Sequence, residues 1–213
     1  MRDKLYFFLD VESDGPVPGL DSMIELGMVC RRVDGTPVGS FGACLNPMPL
    51  VTRRSLEKDG CRDFWQKFPV VLERIRAEAV PPPSAMYAFA NWMAKIQLQE
   101  NVSRGLVCVA DPAAFDYPFL RYYWEFYLPQ SHNPFEQRCF DVRSWFAGTT
   151  MRPYLQSGKR DMKQAGVRWS SPHTHRAVED AQELAERFFA ARDAEIALRE
   201  NYTTTSEADA KRD

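Results

Sequence analysis

The sequence predicts an α/β fold, a five-stranded sheet with helices packed on it. Three observations predict it. Three strand-like runs separated by turn residues fill positions 4 to 45 and read as an antiparallel meander. Helical periodicity then alternates with two short apolar runs, at 106–110 and 138–142. Finally, carboxylates stand where apolar segments give way to polar ones.

The first strand is Lys4 to Val11, where Leu5, Tyr6, Phe7, Phe8 and Leu9 follow one another without a breaker. Ser13-Asp14-Gly15-Pro16 and Pro18-Gly19 make a loop. The second strand is Met23 to Arg32, closed by the turn Asp34-Gly35-Thr36-Pro37, and the third is Ser40 to Leu45. Residues 52 to 79 are helical in pattern but interrupted at Gly60 and Pro69. The run Pro81-Pro82-Pro83 stiffens the chain, and Ser84 is the expected N-cap of a helix from Ala85 to Gln99 that turns Met86, Phe89, Met93 and Ile96 to one side. Strand 106–110 leads into an aromatic-rich helix over 113–127. The last expected helix runs from Arg176 to Leu198, with Ala177, Ala181, Leu184, Phe188 and Phe189 toward the core. One domain over 1–200 is expected, since neither side of the proline run can bury a core alone. From Asn201 the composition is that of a disordered tail, 201–213.

The 213 residues are 45% hydrophobic and 13% aromatic, enough for a sizeable core. A net charge of −2 excludes a global basic field, so any attraction for nucleic acid has to be local. Five cysteines, with no CxxC pair, argue for reduced, mostly buried thiols in a cytoplasmic setting and against a cysteine zinc site. The apolar run Leu5 to Leu9 is too short for a signal peptide, and no stretch reaches the roughly 18 apolar residues of a membrane span.

Asp10 and Glu12 are two apart on a strand, so alternation sends both carboxylates to one face and Val11 to the other. Asp116 opens a helix, where its charge suits the helix dipole, while Phe115, Phe119 and Leu120 anchor that turn; Asp111 competes with it for a functional role. His175 and Asp180 are five apart and converge only if His175 stays in the loop before the helix, as Ser171-Pro172 and Thr174 allow. His173 and His132 read as solvated loop residues. Each carboxylate alone has a plain surface explanation. Together they lack a matching group of nearby cations, which divalent metals would supply; paired metals on carboxylates are suited to phosphodiester cleavage.

These segments resemble the DEDDh, or DnaQ-like, 3′–5′ exonucleases of the ribonuclease H-like superfamily. Asp10-Val11-Glu12-Ser13-Asp14-Gly15 matches that family's D-x-E-T-x-G with Ser for Thr, and Ile24-Glu25-Leu26-Gly27 its second strand. Phe115-Asp116-Tyr117-Pro118-Phe119-Leu120 matches F-D-x-x-F-L, and His175-Arg176-Ala177-Val178-Glu179-Asp180-Ala181 matches H-x-A-x-x-D-A. One departure is Asp111-Pro112, where many members carry His-Asn. The resemblance covers residues 4 to 190 and implies a mixed sheet, three antiparallel strands then parallel ones. It implies two Mg²⁺ or Mn²⁺ ions on Asp10, Glu12, Asp116 and Asp180, His175 as general base, and 5′-mononucleotides released from a nucleic-acid 3′ end, expected to be single-stranded.

For substrate contact, Ser13, Arg160, Lys163, Phe64 and Trp65 are the candidates. The two basic residues belong to a segment holding Arg143, Arg152, Lys159, Arg160, Lys163 and Arg168 against one acid, Asp161. Phe64 and Trp65 suit either base stacking or a core anchor. Tyr122, Tyr123, Trp124 and Phe126 suit core or, where exposed, a homodimer contact. Competing readings are a catalytically inactive nucleic-acid-binding module of the same fold and another metal-dependent phosphohydrolase; no P-loop supports the latter. DNA and RNA remain open as substrates, as do a stand-alone enzyme and a proofreading subunit.

Overall fold

The computed structural model describes residues 5–48 and 63–209, with side chains to residue 195; residues 52–62 of the 52–79 helical expectation, Gly60 and Cys61 among them, lie outside the described residues. The sheet has the order β3-β2-β1-β4-β5, where β1 is Leu5–Ser13, β2 Met23–Arg32, β3 Pro37–Cys44, β4 Leu106–Ala110 and β5 Cys139–Asp141. β1, β2 and β3 pair antiparallel, and β1-β4 and β4-β5 pair parallel. The mixed five-stranded expectation is therefore met. The helices are α1 (Pro69–Glu78), α2 (Pro82–Gln99), α3 (Ala113–Tyr127), α4 (Val142–Thr150), α5 (Lys159–Gln164) and α6 (Ala177–Asp209).

Three boundaries differ from the sequence reading. α2 begins at Pro82 rather than Ala85, and Ser84 does not cap it. Prolines fit a first turn because its N–H groups have no helical partner. The interruption expected at Pro69 is present: residues 63–65 are helical, a turn follows, and Pro69 opens α1. β3 begins at Pro37, the first residue of an edge strand, where no ladder donor is needed. The backbone of α6 stays helical to Asp209, past Leu198 and into the residues assigned to a tail, since each residue added to a formed helix gains a hydrogen bond.

Alternation along β1 sets everything that follows. Leu5, Phe7, Leu9 and Val11 pack into a core with α2 and α3. Tyr6 and Phe8 face the other way, into a second core built on Ala181, Leu184, Ala185 and Phe188 of α6. Each fully buried Leu or Phe contributes roughly 1.5–3 kcal/mol, so a one-residue slip that swapped the faces would be opposed by several such terms at once. Asp10 and Glu12 continue the α6 face.

The start of α6 lies directly on the sheet. A row of paired residues crosses three strands: Asp10 of β1, Gly27 of β2 and Gly42 of β3. A Cβ on Gly27 would come 2.0 Å from the Ala177 carbonyl carbon, whereas one on Gly42 would meet Val178 Cβ at 3.3 Å. The bare Gly27 is what lets the first turn of α6 settle next to Asp10.

Gly27→Ala is expected to push α6 off the sheet and cost about 1–3 kcal/mol or more, the usual range for overpacking, with Gly42→Ala costing clearly less. Thermal unfolding of the two variants checks this; equal losses at both positions would contradict it.

Candidate active site

The end of β1, the segment after β4, the start of α3 and the loop before α6 line a cleft of about 530 Å³. Asp10, Glu12, Asp116, His173 and His175 line it, with Pro16, Phe64, Phe115 and Pro112 as an apolar wall. Asp10, Glu12 and Asp180 each bring one carboxylate oxygen to within 4.8 Å of the others, although they come from strands and helices far apart in the chain.

Each carboxylate is held in place. The Val11 backbone N–H donates to Asp116 Oδ1 at 3.1 Å, so α3 is tied to β1 between the two β1 acids. Asp180 accepts the backbone N–H groups of Thr174 at 2.8 Å and His175 at 2.9 Å, which folds the preceding loop over the first turn of α6. His175 stays in that loop with φ +55, as its convergence with Asp180 requires. Its Nδ1 lies 3.4 Å from Glu12 Oε1. Its ring packs against Phe68 at 4.0 Å and the edge of Phe64 at 5.3 Å between centroids.

Two further acids of this region are committed elsewhere. Glu25, opposite Glu12 across the β1-β2 ladder, pairs with Arg74 at 2.7 Å. Asp111 is fully enclosed, bonded to the buried Arg187 of α6 and 3.2 Å from Arg143. That leaves Asp116 rather than Asp111 facing the cluster with a free oxygen.

The cluster is electrostatically strained in its metal-free form. Burial pushes Asp10 well above the ordinary carboxylate range, and the charges of Asp116, Glu12 and Asp180 push it further; Lys159 offsets this only in part. Burial also raises Asp116, against the Val11 hydrogen bond, with Asp111 and Glu12 adding to the rise. All four ligand candidates are hard oxygen donors, so they fit Mg²⁺ or Mn²⁺ in charge and in chemistry.

His173 departs from expectation. It is not simply solvated: its Nδ1 is 3.0 Å from Asp180 Oδ2, 3.5 Å from Glu183 Oε2 and 3.1 Å from Lys159 Nζ. The hydrogen bond to Asp180, then that to Glu183, raises it to about 9. Glu183 would be raised by burial, but the bonds from His173 and Lys159 outweigh this and hold it at about 2. Lys159 Nζ sits 2.5 Å from Glu183 Oε2. Of the basic residues nearby, Lys159 rather than Arg160 or Lys163 reaches His173: Arg160 and Lys163 are exposed on α5, outside the lining of the cleft, and Lys163 rests on the Trp169 ring at 4.6 Å. The signal was present as His-x-His ahead of an acidic helix start, with Lys159 at the first position of the preceding helix.

Of the remaining candidates, Trp65 is a core anchor, buried with Ile24, Cys44 and Ile75, its indole N–H donating to the Ser13 carbonyl at 3.1 Å. Ser13 spends its hydroxyl on the Gly15 carbonyl at 2.6 Å. Phe64 is half-exposed on the wall of the cleft. Tyr123 and Trp124 are buried, and Phe126 is exposed.

No family model matches the chain. It is 26% identical over 185 residues, 87% of its length and 90% of the relative's, to the 3′–5′ DNA exonuclease Cap18 of Escherichia coli. Among solved structures it is similar to the nuclease domain of 3′hExo, a DEDDh family member, bound to rAMP: TM-score 0.65, 16% identity, 89% of this chain and 91% of that one. It is also similar to cell-death related nuclease 4 (CRN-4): TM-score 0.64, 15% identity, 91% of this chain and 64% of that one. The ribonuclease H-like fold and the resemblance carried by the three motifs are borne out.

The raised Asp10 and Asp116 bind protons that the unfolded chain has released, and His173 does the same over a higher range. Metal-free protein is therefore expected to lose stability as pH rises from the ordinary carboxylate range, about 4, through the value of about 9 at His173. Asp10→Asn should raise the metal-free midpoint by a few degrees, since about 1 kcal/mol moves it roughly 2–4 °C at this chain length, and should flatten the pH dependence. A calorimetric scan showing Asp10→Asn less stable than the wild type without metal would refute the account.

Proposed function

We propose that this chain, as a 3′–5′ exonuclease of the DEDDh type, removes 5′-mononucleotides one at a time from nucleic-acid 3′ ends by metal-assisted hydrolysis. The observation that carries the reading is the convergence of Asp10, Glu12 and Asp180 within 4.8 Å at the floor of a cleft with one apolar wall. The likeness to a DNA exonuclease over nearly the whole chain makes DNA the favoured substrate. An inactive binding module is not favoured, because Asp10, Glu12, Asp116 and His175 line the cleft and Asp180 is buried beside Asp10 and Glu12.

Asp10, Glu12 and Asp180 would hold one ion, and Asp116, beside Asp10, would complete the ligands of a second. When bound, Mg²⁺ or Mn²⁺ ions supply positive charge to both the attacking and the leaving oxygen of an in-line displacement. His175, braced by Phe64 and Phe68, takes the proton from the attacking water; imidazole is suited to this at neutral pH. The wall of Pro16, Phe64 and Phe115 gives the terminal base an apolar surface and keeps bulk water from the reacting phosphate. Trp65 supports that wall by fixing the Ser13 carbonyl. Arg160 and Lys163, on the exposed face of α5, would meet phosphates farther from the 3′ end. The exposed Phe126, stacked on Tyr122, would be the homodimer contact.

With a labelled single-stranded oligonucleotide and Mg²⁺ or Mn²⁺, Asp10→Ala and Asp180→Ala should each lose at least about a hundred-fold in release of mononucleotide while remaining folded. Either variant at full activity rejects the site. His175→Ala should lose about 10²–10⁴-fold in rate at neutral pH and still bind Mn²⁺. Loss of Mn²⁺ binding in that variant would make His175 a ligand instead of a base.

A further inference from the structure

A second group of ligand atoms stands beside the carboxylate cluster. His173, His175 and Asp180 each present one within 4.8 Å of the others. The two imidazoles are 4.4 Å apart between centroids and inclined at 68°, both on the cleft lining. His173 Nδ1 already lies 3.0 Å from Asp180 Oδ2.

The donor chemistry differs from that of the neighbouring group. Asp10, Glu12 and Asp180 offer oxygen alone, which suits Mg²⁺ and Mn²⁺; two imidazole nitrogens with one carboxylate suit Zn²⁺ and its neighbours in the transition series. Three protein ligands leave a fourth position open, here toward the cleft. An outer carboxylate is in place on His175, whose Nδ1 lies 3.4 Å from Glu12 Oε1. Lys159, the cation that touches His173 among the described residues, is anchored on Glu183 at 2.5 Å and keeps that partner when an ion takes the ring nitrogen of His173.

We propose that His173, His175 and Asp180 form a Zn²⁺ site that shuts off the hydrolytic site. Asp180 belongs to both groups of ligands, so zinc withdraws one carboxylate from the catalytic ion. Zinc also occupies the imidazole that would otherwise take the proton. The inference rests on the roles given above to Asp180 and His175; His173 is the residue that distinguishes the zinc site from the carboxylate site.

The test titrates Zn²⁺ into the full chain in a large excess of Mg²⁺, by calorimetry, with Co²⁺ as an absorbing substitute. The wild type should bind one Zn²⁺ and give the intense visible bands of a four-coordinate Co²⁺ ion. Outer partners alone are worth 10–100-fold in metal affinity, so His173→Asn should bind Zn²⁺ at least about ten-fold more weakly. Zinc should inhibit Mn²⁺-supported cleavage by the wild type at concentrations that leave His173→Asn at its own zinc-free rate. Equal zinc affinity in both proteins, or zinc bound through His173 without inhibition, overturns the proposal. Should His173→Asn fail to fold, ring ¹⁵N shifts of the wild type decide: both histidines move on adding Zn²⁺, and a spectrum in which neither moves overturns it. A wild type inert with Mg²⁺ and Mn²⁺ sinks the exonuclease reading alone, while the comparison of zinc binding still stands on its own.

Discussion

The contact between the first turn of α6 and the bare Cα of Gly27 is the constraint on which the rest of the molecule depends. The Ala177 backbone occupies the space where any other residue's Cβ would be. Because Gly27 pairs with Asp10, that seat fixes how near a side chain one turn into α6 can come to the acids of β1. The apolar length of the helix, Ala181, Leu184, Ala185 and Phe188 against Phe8, then holds it there. Packing sets the geometry, and the carboxylates are carried into position by it.

That arrangement acts against the preferences of the carboxylates themselves. Burial and the repulsion of neighbouring acids both favour protonation of Asp10 and Asp116, and Lys159 offsets this for Asp10 only in part. Apolar burial outweighs the repulsion in the absence of metal because several large side chains on each sheet face oppose any rearrangement. Around the cluster lies a shell of opposite character. Arg187 and Asp111, both fully enclosed, join α6 to the end of β4, and Glu183 ties Lys159 and His173 to the same helix. Buried ion pairs of this kind seldom add stability, since desolvation offsets their attraction. Their effect here is positional: Asp111 lines the cleft with its carboxylate already paired to Arg187 and Arg143, and Lys159 is held beside His173.

Much of this was legible in the sequence, for identifiable reasons. The period of two along β1 put Asp10 and Glu12 on one face, and Ser171-Pro172 kept His175 out of the helix that carries Asp180. Both arguments rest on local backbone geometry, which neighbouring residues determine. His173 was missed because its partners are Asp180 in the following helix and Lys159 in the preceding one, and a loop histidine carries no local mark of such contacts. Arg160 and Lys163 stood out by charge density, but a turn of α5 directs only Lys159 inward. α2 starts ahead of Ser84 because the prolines there satisfy the first turn without a side-chain cap. Gly42 went unnoticed for lack of any signal short of knowing which helix lies above it.

The central claim is that acids from β1, α3 and α6 form one cation-binding centre. Anomalous diffraction at the manganese edge, from crystals soaked in Mn²⁺, tests it most directly. The account predicts a peak between β1 and α6 within coordination distance of Asp10, Glu12 and Asp180. Absence of any peak there, with those carboxylates turned away from one another, would contradict it.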